Sequence, residues 1–83
     1  EAMADGGVKS GMPCAQAYEF AAQSVLGAAK MVLETGEHPG ALKDAVCSPG
    51  GTTIEAVSVL ERGGFRSTII DAGTAAAEKS KNM

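Results

Sequence analysis

The sequence predicts an all-α protein, a bundle of about five helices arranged around one long central helix. Apolar residues recur at spacings of three and four through most of the chain, which is the helical period. No segment alternates apolar and polar residues as a half-buried strand does. Glycine pairs and prolines divide the chain into segments of helical length. With 83 residues, the chain has room for one domain.

The first predicted helix is short and lies at the start of the sequence. Residues 1–5 have helical composition but no N-cap residue and no initiator methionine, so we expect this helix to begin further upstream. Gly6 and Gly7 are predicted to weaken it. Gly11 is predicted to end it as a C-terminal stop.

The long helix is predicted to run from Pro13 to Thr35 and to end at Gly36. Proline at the first helical position costs nothing, because that N–H has no helical partner. One apolar stripe comprises Tyr18, Ala21, Ala22, Val25, Ala28, Ala29 and Val32. A second face carries Phe20, Gly27 and Met31. A helix that is apolar on most sides must be buried on most sides, so we expect a second copy of the chain to complete the burial in an intertwined homodimer.

Three further helices are predicted, at residues 40–46, 52–62 and 65–80. Gly63 and Gly64 separate the last two of them. Gly73 lies inside the final helix and should weaken it by about 1 kcal/mol relative to alanine.

The composition excludes several classes of function. The net charge is −3, and the basic residues are scattered without interleaved aromatics, so nucleic acid is not an expected partner. No apolar run approaches 18 residues and no signal peptide is recognisable, so we expect a cytoplasmic protein without membrane contact. Cys14 and Cys47 are expected to be reduced. A metal site is not expected, because there is one histidine and no Cys-x-x-Cys motif.

The most informative motif is Ser-Pro-Gly-Gly-Thr-Thr at residues 48–53, directly before a predicted helix. A helix N-terminus presents unpaired N–H groups and the positive end of the helix dipole. Glycine lets a ligand approach that backbone, so the motif suits a small anion such as a carboxylate. The alternative is a plain helix start, with Thr52 and Glu55 as a capping box or with Ser48 as the cap before Pro49. That alternative explains the two glycines less well.

Other candidate residues are weaker. His38 precedes Pro39 and is expected to make a local turn or cap contact in preference to acting as an acid. Asp44 and Glu55 are expected to be solvated helix charges and not a catalytic pair.

Residues 39–61, PGALKDAVCSPGGTTIEAVSVLE, resemble the signature of the pyrroline-5-carboxylate reductases. Residues 22–31, AQSVLGAAKM, and residues 63–66, GGFR, resemble the same family. The similarity covers nearly the whole chain. Gly73 departs from it, because the family usually carries a larger apolar residue there.

The resemblance implies that residues 1–83 are the C-terminal helical dimerisation and substrate-binding domain of such an enzyme. In the family, the N-terminal Rossmann domain binds NADP or NAD, and two C-terminal domains intertwine, with further assembly of dimers into rings also known. The enzyme reduces the cyclic imine 1-pyrroline-5-carboxylate to L-proline by hydride transfer. The resemblance therefore implies that the nucleotide-binding domain is absent here, and that the isolated chain is inactive and binds no cofactor. It leaves open the choice between NADH and NADPH.

Carried over by position, the substrate loop of the family falls on Ser48, Gly50, Gly51, Thr52 and Thr53. Its backbone N–H groups would hold the substrate carboxylate. The Thr53 hydroxyl would contact the ring nitrogen during reduction, and Val46 would line the nicotinamide side. The competing hypothesis is a non-catalytic helical oligomerisation module whose Gly-Gly loop binds nothing.

Overall fold

A computed structural model describes residues 1–82 as an all-α chain of five helices, which confirms the predicted fold class. The helices are α1 (Ala2–Lys9), α2 (Cys14–Thr35), α3 (Pro39–Val46), α4 (Thr52–Arg62) and α5 (Phe65–Lys81). The described residues contain no strand. They form two compact units, Glu1–Leu42 and the part from Lys43 onward.

In the first unit, α1 packs against α2 through small side chains. Ala4 and Ala17 are the buried hydrophobic residues of the described chain, at 1% and 2% exposure. A Cβ placed on Gly7 would lie 3.4 Å from the Ala17 Cβ. The helix α1 continues through both Gly6 and Gly7. Gly7 therefore allows a close approach of the two helices, a role that the sequence analysis treated only as a weak point in α1.

The ends of α2 match the prediction at the C-terminus and differ by one residue at the N-terminus. Pro13 is the N-cap and not the first helical residue, because its ψ of 141° is extended while its carbonyl accepts the Ala17 N–H at 2.9 Å. Gly36 ends the helix with a left-handed φ of 68°, as predicted.

The side chain of Tyr18 connects α2 to the start of the chain. Its hydroxyl donates a hydrogen bond to the Glu1 carboxylate at 3.4 Å. Desolvation raises the pKa of the Tyr18 phenol, with further contributions from Asp5, Cys14 and the bond to Glu1. The phenol is therefore neutral at neutral pH and available as a donor.

In the second unit, α4 and α5 meet at Gly63 and Gly64, and Gly64 has a left-handed φ of 75°. The Arg66 Nε atom lies 2.7 Å from the Glu61 carboxylate, which joins the two helices by an ion pair. The helix α5 continues through Gly73, where an added Cβ would meet nothing within 4 Å.

Most large apolar side chains remain exposed in the single chain. The exposed set is Met3, Val8, Tyr18, Phe20, Val25, Leu26, Met31, Leu33, Val46, Ile54, Val59, Leu60, Phe65, Ile69 and Ile70. The apolar surface that α2 was predicted to bury is thus left uncovered by its own chain.

Candidate anion-binding site at the start of α4

The site begins with a tight turn between α3 and α4. The Gly51 N–H donates to the Ser48 carbonyl at 2.9 Å, which closes a four-residue turn over Pro49 and Gly50. Gly50 has a φ of 69°. Proline followed by a residue with positive φ is the pattern of a type II turn, and glycine adopts that φ without strain. The turn itself therefore requires Gly50.

The presence of glycine at position 51 also has a local structural explanation. Gly51 is the N-cap of α4, with an extended backbone at φ −83° and ψ 178°. A Cβ on Gly51 would lie 3.1 Å from the Ser48 carbonyl oxygen and 3.3 Å from the Ser48 Cβ. The glycine pair is thus explained by the turn, and it does not by itself indicate a ligand as the sequence analysis had argued.

Both helix caps considered from the sequence are wrong. Thr52 is the first residue of α4 and not its N-cap, and no side chain caps this helix start. The reason is that the turn places Gly51, which has no side chain, at the capping position. Neither Ser48 nor Glu55 replaces the missing cap, since no side-chain cap bond is formed.

The consequence is an open helix N-terminus. The Glu55 N–H reaches the Gly51 carbonyl at 3.4 Å, which begins the helical bonding. Within residues 1–82, the amides of Thr52, Thr53 and Ile54 donate to no other protein group. These three donors lie at the positive end of the dipole of an 11-residue helix. Such an arrangement binds a small anion.

The residues around the open amides are accessible. Ser48, Gly50, Thr52 and Thr53 are exposed, and Gly51 is half-buried. An added Cβ on Gly50 would meet nothing within 4 Å. Val46, at the end of α3, is 61% exposed. All six predicted site residues thus lie on one short segment of the second unit.

The charged side chains near this segment do not form a catalytic pair. Asp44 is exposed and lies 3.1 Å from the Lys43 ammonium group. Glu55 is exposed, and no cation lies within 4.0 Å of it in the described part of the chain. The described residues also contain no cluster of three or more side chains suited to a metal ion. The charged side chains of this segment therefore form no acid–base pair within the described residues.

The start of α3 differs from that of α4. The Gly40 N–H donates to the His38 Nδ1 atom at 2.9 Å. His38 thus makes the local cap contact predicted for it. Cys14 and Cys47 form no disulfide within the described residues, and Cys14 is exposed.

The Ile54 amide is a further donor of this site that the motif at residues 48–53 does not include. Once Gly51 is the N-cap, Ile54 is the third helical residue and its N–H is unpaired. The position of the helix boundary, between Gly51 and Thr52, is what identifies the Ile54 amide as the third unpaired donor.

Among the described helices, none is long and apolar enough to cross a membrane.

An all-α domain that leaves its apolar helix surfaces exposed has the features of a helical association domain. Comparison with known families identifies which one. The chain belongs to the pyrroline-5-carboxylate reductase dimerisation family, whose model matches residues 1–83.

Individual relatives agree with this assignment. A pyrroline-5-carboxylate reductase of Escherichia coli (strain K12) is 71% identical over 83 residues, which are the whole of this chain and 31% of that protein. A solved 1-pyrroline-5-carboxylate reductase from Streptococcus pyogenes is 41% identical with a TM-score of 0.95, over 100% of this chain and 32% of that one. A pyrroline carboxylate reductase from Plasmodium falciparum, solved with NADP bound, is 35% identical with a TM-score of 0.93, over 99% of this chain and 31% of that one. The chain therefore spans about a third of the length of these relatives.

Proposed function

We propose that this chain is the dimerisation and substrate-binding part of an oxidoreductase that reduces 1-pyrroline-5-carboxylate to L-proline in proline biosynthesis. The observation that carries the proposal is the family match over all 83 residues, together with 71% identity to a reductase over the same span. Since the chain spans only about a third of such relatives, the activity belongs to the larger protein. The isolated chain is expected to be inactive.

The open start of α4 is the proposed carboxylate site. Its three unpaired amides lie side by side on the first turn, and glycine at position 50 leaves the approach free. A substrate carboxylate on these amides would take the place of the missing side-chain cap. The amides of Thr52, Thr53 and Ile54 would bind it, while Ser48 and Gly51 hold the turn that presents them.

Thr53 is proposed to contact the ring nitrogen of the imine. Its side chain is exposed one residue after the start of α4. A carboxylate bound to the amides places the adjacent five-membered ring near this hydroxyl. Reduction adds a hydride to the imine carbon and a proton from solvent water to the nitrogen. A hydroxyl held beside the nitrogen would donate a hydrogen bond to it as its electron density rises.

The cofactor is proposed to be NADP or NAD. Such a cofactor supplies the hydride when it is bound. In this chain, the exposed apolar side chain of Val46 fits a contact with a nicotinamide ring. The described residues have no strand and hence no Gly-x-Gly-x-x-Gly turn between a strand and a helix for the cofactor phosphates. Those phosphates would be held by a nucleotide-binding domain outside this chain.

A homodimer is proposed because the single chain leaves its apolar surface uncovered. On α2 alone, Phe20, Leu26 and Leu33 are 49%, 60% and 83% exposed, and a helix that is apolar on most sides needs a partner surface to bury it. Gly27 lies on the exposed surface of α2, and an added Cβ there would meet nothing within 4 Å. A helix of the second copy could therefore approach closely. Intertwining and further assembly of dimers belong to the same proposal, as does a cytoplasmic location without nucleic acid or membrane partners.

Sedimentation of the purified chain tests the homodimer. We expect a species of twice 8.3 kDa at micromolar concentration. A Gly27→Leu variant should dissociate, because the added side chain fits the single chain but blocks a close helix contact. A folded monomer in both proteins would contradict the proposal.

A fusion protein tests the role of Thr53. The chain is joined behind a nucleotide-binding domain from a relative of this family, and imine-dependent oxidation of NADPH is measured. Thr53→Val, which removes the hydroxyl and keeps the shape, should lower kcat by roughly ten- to a hundredfold, the effect of one hydrogen bond to a charged group. Thr53→Ser should retain most activity. Ser58→Ala removes another exposed hydroxyl from the same helix and is the matched control. Equal activity of Thr53→Val and Ser58→Ala would remove Thr53 from the mechanism.

The second candidate is a non-catalytic oligomerisation module. One observation favours it, namely that Gly50 and Gly51 are both required by the turn. In that case the fusion protein would show no imine-dependent oxidation at all, whatever residue occupies position 53.

A further inference from the structure

The start of α3 carries a titratable cap. The helix begins at Pro39, which has no N–H, so the Gly40 amide is the first donor that needs a partner. The Gly40 N–H donates to the His38 Nδ1 atom at 2.9 Å. The Ala41 and Leu42 amides reach the His38 carbonyl at 2.9 and 3.2 Å, which makes His38 the capping residue.

The imidazole ring lies directly against the Gly40 backbone. A Cβ on Gly40 would be 3.0 Å from Nδ1 and 3.2 Å from Cε1. Glycine therefore permits the ring to occupy this position. The close approach accompanies the hydrogen bond, and the absence of a Cβ at position 40 leaves room for it.

A histidine cap differs chemically from the usual serine, threonine, aspartate or asparagine cap. The bond to Gly40 requires an unprotonated Nδ1 lone pair, and a protonated imidazole has only donors. The cation would also lie at the positive end of the helix dipole, which disfavours it. Histidine is the side chain that changes charge between about pH 5 and pH 8 in ordinary surroundings.

No ion pair involves the His38 ring in the described part of the chain. Glu37 precedes the histidine, and α3 itself carries Lys43 and Asp44, which lie 3.1 Å apart. Within residues 1–82, no carboxylate oxygen lies within 4.0 Å of an imidazole nitrogen. No acidic partner is therefore present to stabilise the protonated ring in the capping position.

We propose that His38 is a pH-sensitive N-cap, which holds the first turn of α3 when the imidazole is neutral and releases that turn when it is protonated. The direction of the pH dependence follows from the hydrogen-bond acceptor, which is the unprotonated Nδ1 atom. The capped state requires neutral His38, so its stabilisation is complete at high pH and is lost as the pH falls through the imidazole titration. The device is independent of the function proposed for the start of α4.

Nuclear magnetic resonance of the 83-residue chain tests the proposal directly, because His38 is the single histidine. The hydrogen-exchange protection factor of the Gly40 amide is measured between about pH 8 and about pH 5, alongside the imidazole titration. Protection should fall by about two- to thirtyfold, the equilibrium equivalent of one lost N-cap. The midpoint of the fall should coincide with that of the imidazole.

Two variants control the experiment. His38→Asn supplies a cap that does not titrate, so Gly40 protection should stay constant with pH. His38→Ala has no side-chain acceptor, so protection should stay at the low-pH level throughout. Constant Gly40 protection in the wild-type chain across the imidazole titration would overturn the proposal, as would the same pH dependence in His38→Asn.

Discussion

The N-termini of α3 and α4 both have backbone amides without a helical partner, and they differ in whether a side chain accepts them. At the start of α3, the His38 side chain accepts the first free amide. At the start of α4, the N-cap is Gly51, and three amides remain without a protein acceptor in the described chain. Both starts contain proline and glycine, so composition alone does not distinguish them.

The difference shows what makes a helix start available to a ligand. A capped start has its donors already paired, and an anion would have to displace the cap. An uncapped start leaves its donors facing solvent at the positive end of the dipole. The turn over Pro49 and Gly50 creates the second situation, because it places a residue without a side chain at the capping position.

The largest stability effect is expected at Gly50, which shapes the open start. Gly50→Ala forces a Cβ into a φ of 69° and should lower the free energy of unfolding by about 1–2 kcal/mol. Gly50→Asn should cost less, because asparagine tolerates this conformation. Urea unfolding at a fixed protein concentration measures both. Equal losses would show that the backbone conformation at position 50 is not the cause.

A smaller effect on stability is expected when the His38 cap of α3 is removed. His38→Ala should lower the free energy of unfolding by about 1 kcal/mol at a pH above the imidazole titration and by nearly nothing at a pH below it. The same urea experiment at the two pH values measures the change. A loss that is the same at both would mean that the residue acts through packing and not through its cap.

Much of this fold could be predicted from the sequence. The helix ends at Gly36 and at Gly63–Gly64 follow from glycine breaking the helical pattern, and the boundaries of α4 agree with the prediction. The exposure of apolar side chains on α2 could also be predicted, because this helix is apolar on most sides and a chain of this length cannot surround it.

The details of the helix starts could not be predicted with the same success. Thr52 and Glu55 have the spacing of a capping box, but the backbone of the preceding turn decides which residue is the cap. The same holds for Pro13, where one dihedral angle separates an N-cap from a first helical residue. The role of Gly7 depends on contact with Ala17, ten residues further along, which no local pattern contains.

The central claim is that the free amides at the start of α4 bind a carboxylate. Thr52→Pro removes one of these amides and leaves the helix intact, because proline is favoured at the first helical position. The extended backbone of Gly51 is also compatible with a following proline. Thr52→Ala removes the same side chain and keeps the amide, so it is the matched control.

The decisive measurement is KM for 1-pyrroline-5-carboxylate in the fusion protein, compared with KM for the same ring imine without its carboxylate. Thr52→Pro should raise KM for the carboxylate substrate by about tenfold relative to Thr52→Ala, the effect of one hydrogen bond to a charged group. The two variants should not differ with the imine that lacks the carboxylate. Equal KM values for both variants with the carboxylate substrate would contradict the account.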